Sequence, residues 1–157
     1  MELFILRHGK AEDHGHPGGD GERALVEKGY QQARRAGELA KAAGFTPDLV
    51  LTSPLVRARQ TAETFCEAAG ISAPMIQPWI ACGMRAETAL TELRAFSNFR
   101  RVALVGHEPD LSSLIEFLLG ASGGAVEMKK GALACLDLSS SGRRGRLLFL
   151  IPPKLVE

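Results

Sequence analysis

The sequence predicts an α/β protein, because short apolar strands alternate with segments of helical periodicity. The first strand is residues 3–6, Leu-Phe-Ile-Leu, and such an unbroken apolar run is typical of a strand buried on both faces. A second apolar run, residues 48–52, leads directly into a helical pattern. A third, residues 101–105, is followed by another helical pattern. A sheet of this kind binds its ligands at the carboxyl ends of its strands.

The first strand ends abruptly in Arg7-His8-Gly9. A cation and an imidazole at the end of a buried strand are unfavourable unless something charged binds there. Gly9 lets the backbone turn away and leaves room for a ligand to come close. This end of the strand is therefore a candidate anion site.

Length and composition indicate one globular domain over residues 1–157. The 19 basic and 18 acidic side chains leave a formal charge of +1, so neither nucleic acid nor an acidic membrane is expected as a partner. Three scattered cysteines without metal-ligand spacing predict free thiols in a reducing compartment. A secretory pattern and an apolar run of membrane-spanning length are both missing, so a cytoplasmic protein is expected.

Residues 10–22 form a polar loop, which we expect on the surface beside His8. Within it, His14 and His16 could hold a metal ion. No carboxylate or thiol stands at a diagnostic spacing, so the pattern favours a solvated loop, and no metal or cofactor is expected.

The first helix is predicted over residues 26–43. Val26 stands at its cap position without a side-chain acceptor, a deficit of about 0.5–2 kcal/mol. Gly44 is suited to end it. Small residues at three- and four-residue steps predict a narrow face that lies close on the sheet. This face is Tyr30, Ala33, Gly37, Ala40 and Ala43.

The second helix follows the strand at residues 48–52, with Ser53 as its predicted N-cap and Pro54 as its first residue. Arg57 would then lie in the first turn, beside free backbone donors, which is a good position to hold phosphate. The alternative, a solvated surface arginine, is retained for Arg59. The predicted buried stripe is Leu55, Ala58, Ala62, Phe65 and Ala69.

The strand at residues 101–105 repeats the design of the first, because it ends in Gly106-His107. Two strands that end in histidine at the carboxyl edge of one sheet can bring both imidazoles to one crevice. A lone histidine is more often structural than catalytic. Two in matched positions, with Arg7 and Arg57 from similar places, indicate a site.

The remaining pattern completes the α/β order. It predicts a short strand at residues 74–77, helices at 86–96 and 109–119, and apolar strands at 132–138 and 146–151.

The remaining charged residues are interpreted mainly as surface groups. Glu87 and Glu92 are most simply charges on the exposed side of a helix. The last two strands predict a hairpin whose basic tip, residues 139–145, is solvated. Lys129 and Lys130 precede that hairpin and could reach the crevice.

The residues at the inferred crevice suit phosphoryl transfer without a metal. A neutral His8 can attack phosphorus and form a phosphohistidine, which splits one displacement into two easier steps. Arg7, Arg57 and the second imidazole would hold the charge on the phosphoryl oxygens. We expect His107 to be protonated and to donate to the transferring group.

Three separate motifs resemble the histidine phosphatase superfamily, which also contains the phosphoglycerate mutases, and the resemblance runs from residue 1 to about residue 151. Segments 10–13, 23–29 and 106–112 are most similar to the SixA-type phosphohistidine phosphatases. The three motifs are the RHG motif Arg7-His8-Gly9, Ser53-Pro54-x-x-Arg57-Ala58-x-Gln60-Thr61-Ala62, and Val105-Gly106-His107.

The resemblance implies a three-layer α/β/α sandwich on a mostly parallel sheet, as in phosphoglycerate mutases. It implies His8 as the phospho-acceptor and Arg7, Arg57 and His107 as the phosphate pocket. Arg23 matches an arginine that supplements the pocket in the SixA-type group.

Two departures from the family pattern stand out. Residues 23–26 read Arg-Ala-Leu-Val where the family usually has Arg-Pro-Leu-Thr, which weakens the cap of the first helix. The mutase-type members carry a long insertion with a glutamate acid/base. Here that segment is short, and neither Glu87 nor Glu92 stands in a recognisable motif.

The missing acid favours phosphohistidine as the substrate, carried by a signalling or phosphotransfer protein and releasing inorganic phosphate. An alkyl phosphoester needs a proton donor, whereas the nitrogen of phosphohistidine protonates easily. Two alternatives remain open. One is a small-molecule phosphomonoesterase of the same superfamily that uses His107, Glu12 or Asp13 as its acid. The other is a phosphate-binding module without turnover.

Overall fold

The computed structural model describes residues 1–138 and 145–156. Six strands of this part of the chain form one sheet: β1 (Glu2–Arg7), β2 (Leu49–Thr52), β3 (Met75–Ile76), β4 (Arg101–Gly106), β5 (Leu133–Asp137) and β6 (Arg146–Ile151). Four α-helices flank it: α1 (Glu27–Ala42), α2 (Val56–Ala69), α3 (Ala86–Leu93) and α4 (Asp110–Leu119).

The strand order is β3-β2-β4-β1-β5-β6, and β1 to β4 run parallel to one another. Strand β5 runs antiparallel to both of its neighbours, β1 and β6. The predicted mostly parallel sheet is therefore confirmed. Arg7 at the end of β1 pairs with Gly106 at the end of β4. His8 and His107, the next residues, consequently leave the same edge of the sheet side by side.

The central strand β1 shows why the fold has three layers. Leu3 and Ile5 belong to a core shared with α3 and α4. Phe4 and Leu6 belong to a second core, shared with α1 and α2. Successive side chains of a strand point to opposite faces, so an unbroken apolar run needs a helical layer on each side. The predicted α/β/α sandwich is confirmed.

The small-residue face of α1 differs from the prediction. Ala36 and Ala40 do reach the core above the sheet. The closest backbone approach, however, is to α2, because a Cβ on Gly37 would lie 2.5 Å from the carbonyl oxygen of Phe65. Tyr30 is only half-buried and Ala43 is exposed. The helix begins after Val26 without a side-chain cap, as predicted.

The second helix begins later than predicted. Its first residue is Val56 and its N-cap is Leu55, which makes no side-chain capping hydrogen bond. Ser53 and Pro54 thus precede the helix, and the Ser53 hydroxyl accepts a hydrogen bond from the Leu55 N–H at 3.2 Å. Arg57 still lies in the first turn. The helix ends at Gly70, which has φ +70°.

The other predicted elements are present with shifted ends. The helix after residue 86 ends at Leu93 and continues as a 3₁₀ turn, Arg94–Phe96. Strands β5 and β6 pair as the predicted hairpin. Its predicted basic tip lies, apart from Gly145, outside the described residues.

Two further expectations concern the cysteines and the membrane. Cys66 and Cys135 are buried, Cys82 is exposed, and all three thiols are free, as predicted. Within the described ranges, no helix is both long enough and apolar enough to cross a membrane.

Candidate active site

The end of β1 carries His8 into a buried position, with 6% of the residue exposed. Its backbone N–H donates to the carbonyl of Gly106 at 3.1 Å, which extends the pairing of β1 and β4 by one residue. A Cβ on Gly9 would lie 2.5 Å from the carbonyl oxygen of Gly29. From the sequence, we expected Gly9 to leave room for a ligand. The contact that demands a glycine is instead the start of α1.

The hydrogen bonds of His8 define its tautomer. Its Nδ1 lies 2.8 Å from the carbonyl oxygen of Gly9, and since a carbonyl only accepts, Nδ1 carries the hydrogen. The lone pair is then on Nε2, where Arg57 Nε donates at 3.3 Å. Burial, with added repulsion from the charges of Arg57 and Arg7, lowers the pKa of His8 to about 3. The ring is therefore neutral at neutral pH, with its electron pair on Nε2.

His107 lies beside His8, with 5.3 Å between the ring centroids. Only 2% of the residue is exposed, and its Nε2 lies 2.8 Å from Ser53 Oγ. Burial, with the charge of Arg57, lowers the pKa of His107 to about 4. The charges of the protein itself thus leave His107 neutral at neutral pH, whereas our prediction is a ring protonated against the transferring group. A phosphate dianion against the ring would raise this pKa, because an opposite charge favours the protonated form.

Arg57 enters the same pocket from the first turn of α2 and is 3% exposed. Its Nη1 donates to the backbone carbonyl of Asp20 at 2.9 Å, and its Nη2 donates to Asp20 Oδ2 at 3.1 Å. The solvated-arginine alternative is wrong for this residue. Its guanidinium is instead shared between His8 and Asp20.

Arg23 approaches Asp20 from the other side. Its Nε donates to Asp20 Oδ1 at 2.9 Å and its Nη1 to the carbonyl of Glu12 at 2.8 Å. The residue is buried, at 7% exposure. The Asp20 carboxylate therefore lies between the guanidinium groups of Arg23 and Arg57. The slight burial of Asp20 by itself would raise the pKa of the carboxyl group. The hydrogen bond from Arg23 and the charge of Arg57 have the larger combined effect, so the pKa of Asp20 is lowered.

Sequence reasoning missed Asp20 and misassigned Ser53. Asp20 belongs to a loop rich in glycine and acids, and its three-residue spacing to Arg23 is too common to be a signal. Ser53 was interpreted as a helix cap, but its hydroxyl contacts His107. The proposed loop acids were Glu12 and Asp13. The carboxylate that contacts the pocket arginines is Asp20.

Arg7 forms the open side of the pocket. Its Nη1 donates to the carbonyl of Met128 at 2.8 Å, while its Nε is buried without a hydrogen-bond partner among the described residues. Burial lowers the pKa of Arg7. Arg7 also lines a groove that it shares with Lys130.

The loop histidines have separate carboxylate partners. His14 Nδ1 lies 3.5 Å from Asp20, and His16 Nε2 lies 3.6 Å from Glu12. Across residues 1–138 and 145–156, no three His, Cys, Asp or Glu side chains are grouped as a metal site.

The site thus combines three guanidinium groups, two neutral imidazoles and one carboxylate. Such a set is electropositive and matches the forked geometry and charge of a phosphoryl group. A neutral imidazole whose Nε2 carries a lone pair beside this anion site can attack phosphorus once Arg57 Nε donates elsewhere.

Comparison with known proteins agrees with this geometry. Residues 3–79 match the model of the histidine phosphatase superfamily (branch 1). An uncharacterized protein from Picosynechococcus sp. is 33% identical over 163 residues, and the match covers 98% of each chain. Curated phosphoglycerate mutases match about half of this chain, and the matched part is about a third of their own length.

Solved structures are similar over nearly the whole chain. The protein histidine phosphatase SixA, complexed with tungstate, has a TM-score of 0.89, 24% identity and 100% coverage of both chains, and at that identity it shows the fold. A proposed SixA phosphohistidine phosphatase from Agrobacterium tumefaciens has a TM-score of 0.83 and 27% identity, with 97% of this chain and 98% of that chain covered. The chain belongs to the histidine phosphatase superfamily and is an enzyme of its phosphatase or mutase type.

Proposed function

We propose that this member of the histidine phosphatase superfamily is a metal-independent phosphohydrolase acting through a phosphohistidine on His8. Its substrate is phosphohistidine in a signalling or phosphotransfer protein, and residues 1–157 form the single catalytic domain. The observation that carries the proposal is the buried, neutral His8, whose Nδ1–H is held by the Gly9 carbonyl and whose Nε2 accepts from Arg57.

In the first step, His8 Nε2 attacks phosphorus. A P–N bond forms to His8 while the P–N bond to the substrate imidazole breaks, and the departing imidazole takes up a proton from solvent water and leaves neutral. Arg57 moves its Nε–H from His8 to a phosphoryl oxygen, because the electron pair it contacted is now bonded to phosphorus. Arg7 and Arg57 stabilise the charge on the phosphoryl oxygens.

In the second step, water attacks the phosphorus of phospho-His8. The P–N bond to His8 breaks, inorganic phosphate leaves, and the neutral ring is restored. His107 donates to the phosphoryl group in both steps. The dianion beside the ring raises its pKa, and Ser53 holds the ring in place.

The carboxylate of the pocket supports phosphohistidine over an alkyl phosphoester. An alkoxide leaving group needs a proton donor, which contributes typically about 10²–10⁴-fold. Asp20 is a poor donor at neutral pH, because Arg23 and Arg57 keep it ionised. The nitrogen of phosphohistidine protonates readily and depends less on such an acid. Similarity to the SixA phosphatases supports the same substrate class.

The test is phosphate release in EDTA from a histidine-phosphorylated protein and from several phosphoesters. Wild type should release phosphate from phosphohistidine fastest. His8→Ala should lose at least about 10⁴-fold in kcat, as expected for removal of a nucleophile. Lys41→Ala, at an exposed position in the last turn of α1, is the control that should retain full activity.

Each outcome separates mechanism from substrate. Preference for a phosphoester would keep the mechanism and overturn the substrate assignment. Release that survives His8→Ala would overturn the mechanism. Phosphate binding without turnover or phosphoenzyme would indicate a binding module.

A further inference from the structure

Most of the lysines of the chain line a single groove. The chain contains six lysines, and five of them border one cavity of about 800 Å³. The five are Lys10, Lys28, Lys129, Lys130 and Lys154. The formal charge of the whole chain is only +1, so this groove is a local concentration of positive charge.

The lysines of this groove, the lysine groove hereafter, come from four separate parts of the chain. Lys10 follows β1, Lys28 lies in the first turn of α1, Lys129 and Lys130 precede β5, and Lys154 follows β6. All five are exposed. They are brought together by the fold, so a solvated run of charge along one helix does not account for them.

Little negative charge opposes these lysines. No aspartate or glutamate is among the described residues that border the lysine groove. Lys129 pairs with the exposed Glu127 at 2.7 Å. The other four lysines have no carboxylate within 4 Å in the described part of the chain. The groove thus presents a net positive field to the solvent.

The lysine groove adjoins the candidate active site through Arg7, which lines the groove and whose charge helps to lower the pKa of His8. A second cavity of about 710 Å³ continues from it along α1. The two share Lys28, Gln32 and Pro153. Among the described residues, the second adds Arg34 and Arg35, with Glu38 as its one carboxylate. From Lys28 to Arg35, α1 rises about 10 Å, so the basic surface extends well beyond one phosphoryl group.

The chemistry of the groove favours a protein over a small phosphate ester. Lysine ammonium groups are point charges on flexible stems, so they adapt to scattered carboxylates, whereas arginine forks hold phosphate. Apolar groups lie among the lysines, including Pro152 and Leu155, which is 76% exposed. Apolar contact surrounded by charge is typical of a protein interface.

We infer that the lysine groove docks an acidic face of the phosphohistidine-bearing protein while its phosphoryl group enters the pocket past Arg7. This inference rests on the proposed function and adds the charge of the partner and the site of docking. Opposite charges across the interface accelerate encounter and orient the partner. The enzyme therefore prefers acidic carriers of phosphohistidine to basic ones.

The test compares Lys28→Glu with Lys41→Glu. Both residues are exposed lysines of α1, but only Lys28 borders the groove. For each, kcat/KM is measured on an acidic histidine-phosphorylated protein and on phosphoramidate, in EDTA at low and high salt. Lys28→Glu should lose about tenfold or more on the protein at low salt, mainly through KM. It should stay within about threefold on phosphoramidate. Lys41→Glu should match wild type on both.

Three kinetic results would overturn the inference. They are unchanged kcat/KM on the protein for Lys28→Glu, an equal loss on phosphoramidate, and an equal loss for Lys41→Glu. Binding of the phosphorylated protein by His8→Ala enzyme is measured in parallel. If wild type releases no phosphate, the proposed function is wrong. The docking inference is then tested by whether Lys28→Glu weakens binding of the phosphorylated protein to the His8→Ala enzyme. Tighter binding of an oligonucleotide than of the acidic protein would also overturn it.

Discussion

Arg7, His8 and His107 stand at the ends of two neighbouring strands, whereas Asp20 and Arg23 stand on a polar loop. The first three form what we call the strand side of the pocket, and the other two form its loop side. On the strand side, backbone hydrogen bonds of the sheet continue to His8 itself. On the loop side, position depends on contacts between charged side chains, and the Asp20 side chain is 53% exposed.

Because they are held differently, we expect the two sides to have different functions. Groups held by a buried sheet are preorganised, and preorganised groups contribute most to the chemical step. Groups held by a half-exposed loop can exchange partners, which suits binding and release of phosphate. Variants of the strand side should therefore lower kcat, and variants of the loop side should change affinity.

After the loss of the nucleophile in His8→Ala, the largest effect on the strand side is expected for His107→Ala. Removing a preorganised donor to the phosphoryl group should lower kcat about 10²–10³-fold and change KM little. Steady-state kinetics on a phosphohistidine protein measure this, with the thermal midpoint as a check on folding. His107→Asn is a second variant of smaller volume change. A rise in KM at unchanged kcat would instead show that His107 acts in binding, as expected for the loop side.

The strand side should also make stability depend on pH. The folded-state pKa values of His8 and His107 are lowered to about 3 and about 4, so between those values and about 6.5 the unfolded chain binds more protons. The contribution of the two histidines to the free energy of unfolding should therefore be complete above about pH 6.5 and decrease as the pH falls below it. The slope is at most about 1.4 kcal/mol per pH unit for each histidine.

Urea denaturation between pH 7 and pH 4.5 measures this slope. The double variant His8→Asn/His107→Asn should flatten it. His14→Asn is the matched control from the loop, since its side chain is 87% exposed. A slope that is the same in the double variant would contradict the assignment.

On the loop side, Arg23→Ala should weaken phosphate inhibition about tenfold, which corresponds to one charge-assisted hydrogen bond of about 1.4 kcal/mol. The kcat should fall much less than for His107→Ala. Arg23→Lys keeps the charge without the fork and should recover part of the loss. A hundredfold fall in kcat for Arg23→Ala would contradict the assignment of the loop side to phosphate binding.

The smallest effect is expected for Asp20→Asn. Its carboxylate competes with phosphate for Arg57, and exposed ion pairs are worth about 0.2–1 kcal/mol, so the variant should bind phosphate about twofold to fivefold more tightly. Inhibition constants for inorganic phosphate measure it, with Asp13→Asn as the loop control. A fall in kcat on phosphoesters at unchanged phosphate affinity would instead identify Asp20 as an acid.

The comparison of the two sides also explains which residues could be predicted. The placement of Arg7, His8 and His107 at one sheet edge could be predicted, because unbroken apolar runs identify buried strands and the next residues then lie at the edge. Ser53 was misread because its local pattern is that of a cap, while its hydroxyl contacts His107, 54 positions away. Gly37 was misread for the same reason, since its partner lies on α2.

By itself, the sequence determined the α/β order, the two strands that end in histidine and the presence of Arg57 in the first turn of α2. These features follow from local periodicity and from chemistry at single positions. Only the tertiary structure decided the tautomer of His8, the partners of Asp20 and the gathering of five lysines in one groove. Each of these depends on side chains distant in the sequence, whose distances no local pattern encodes.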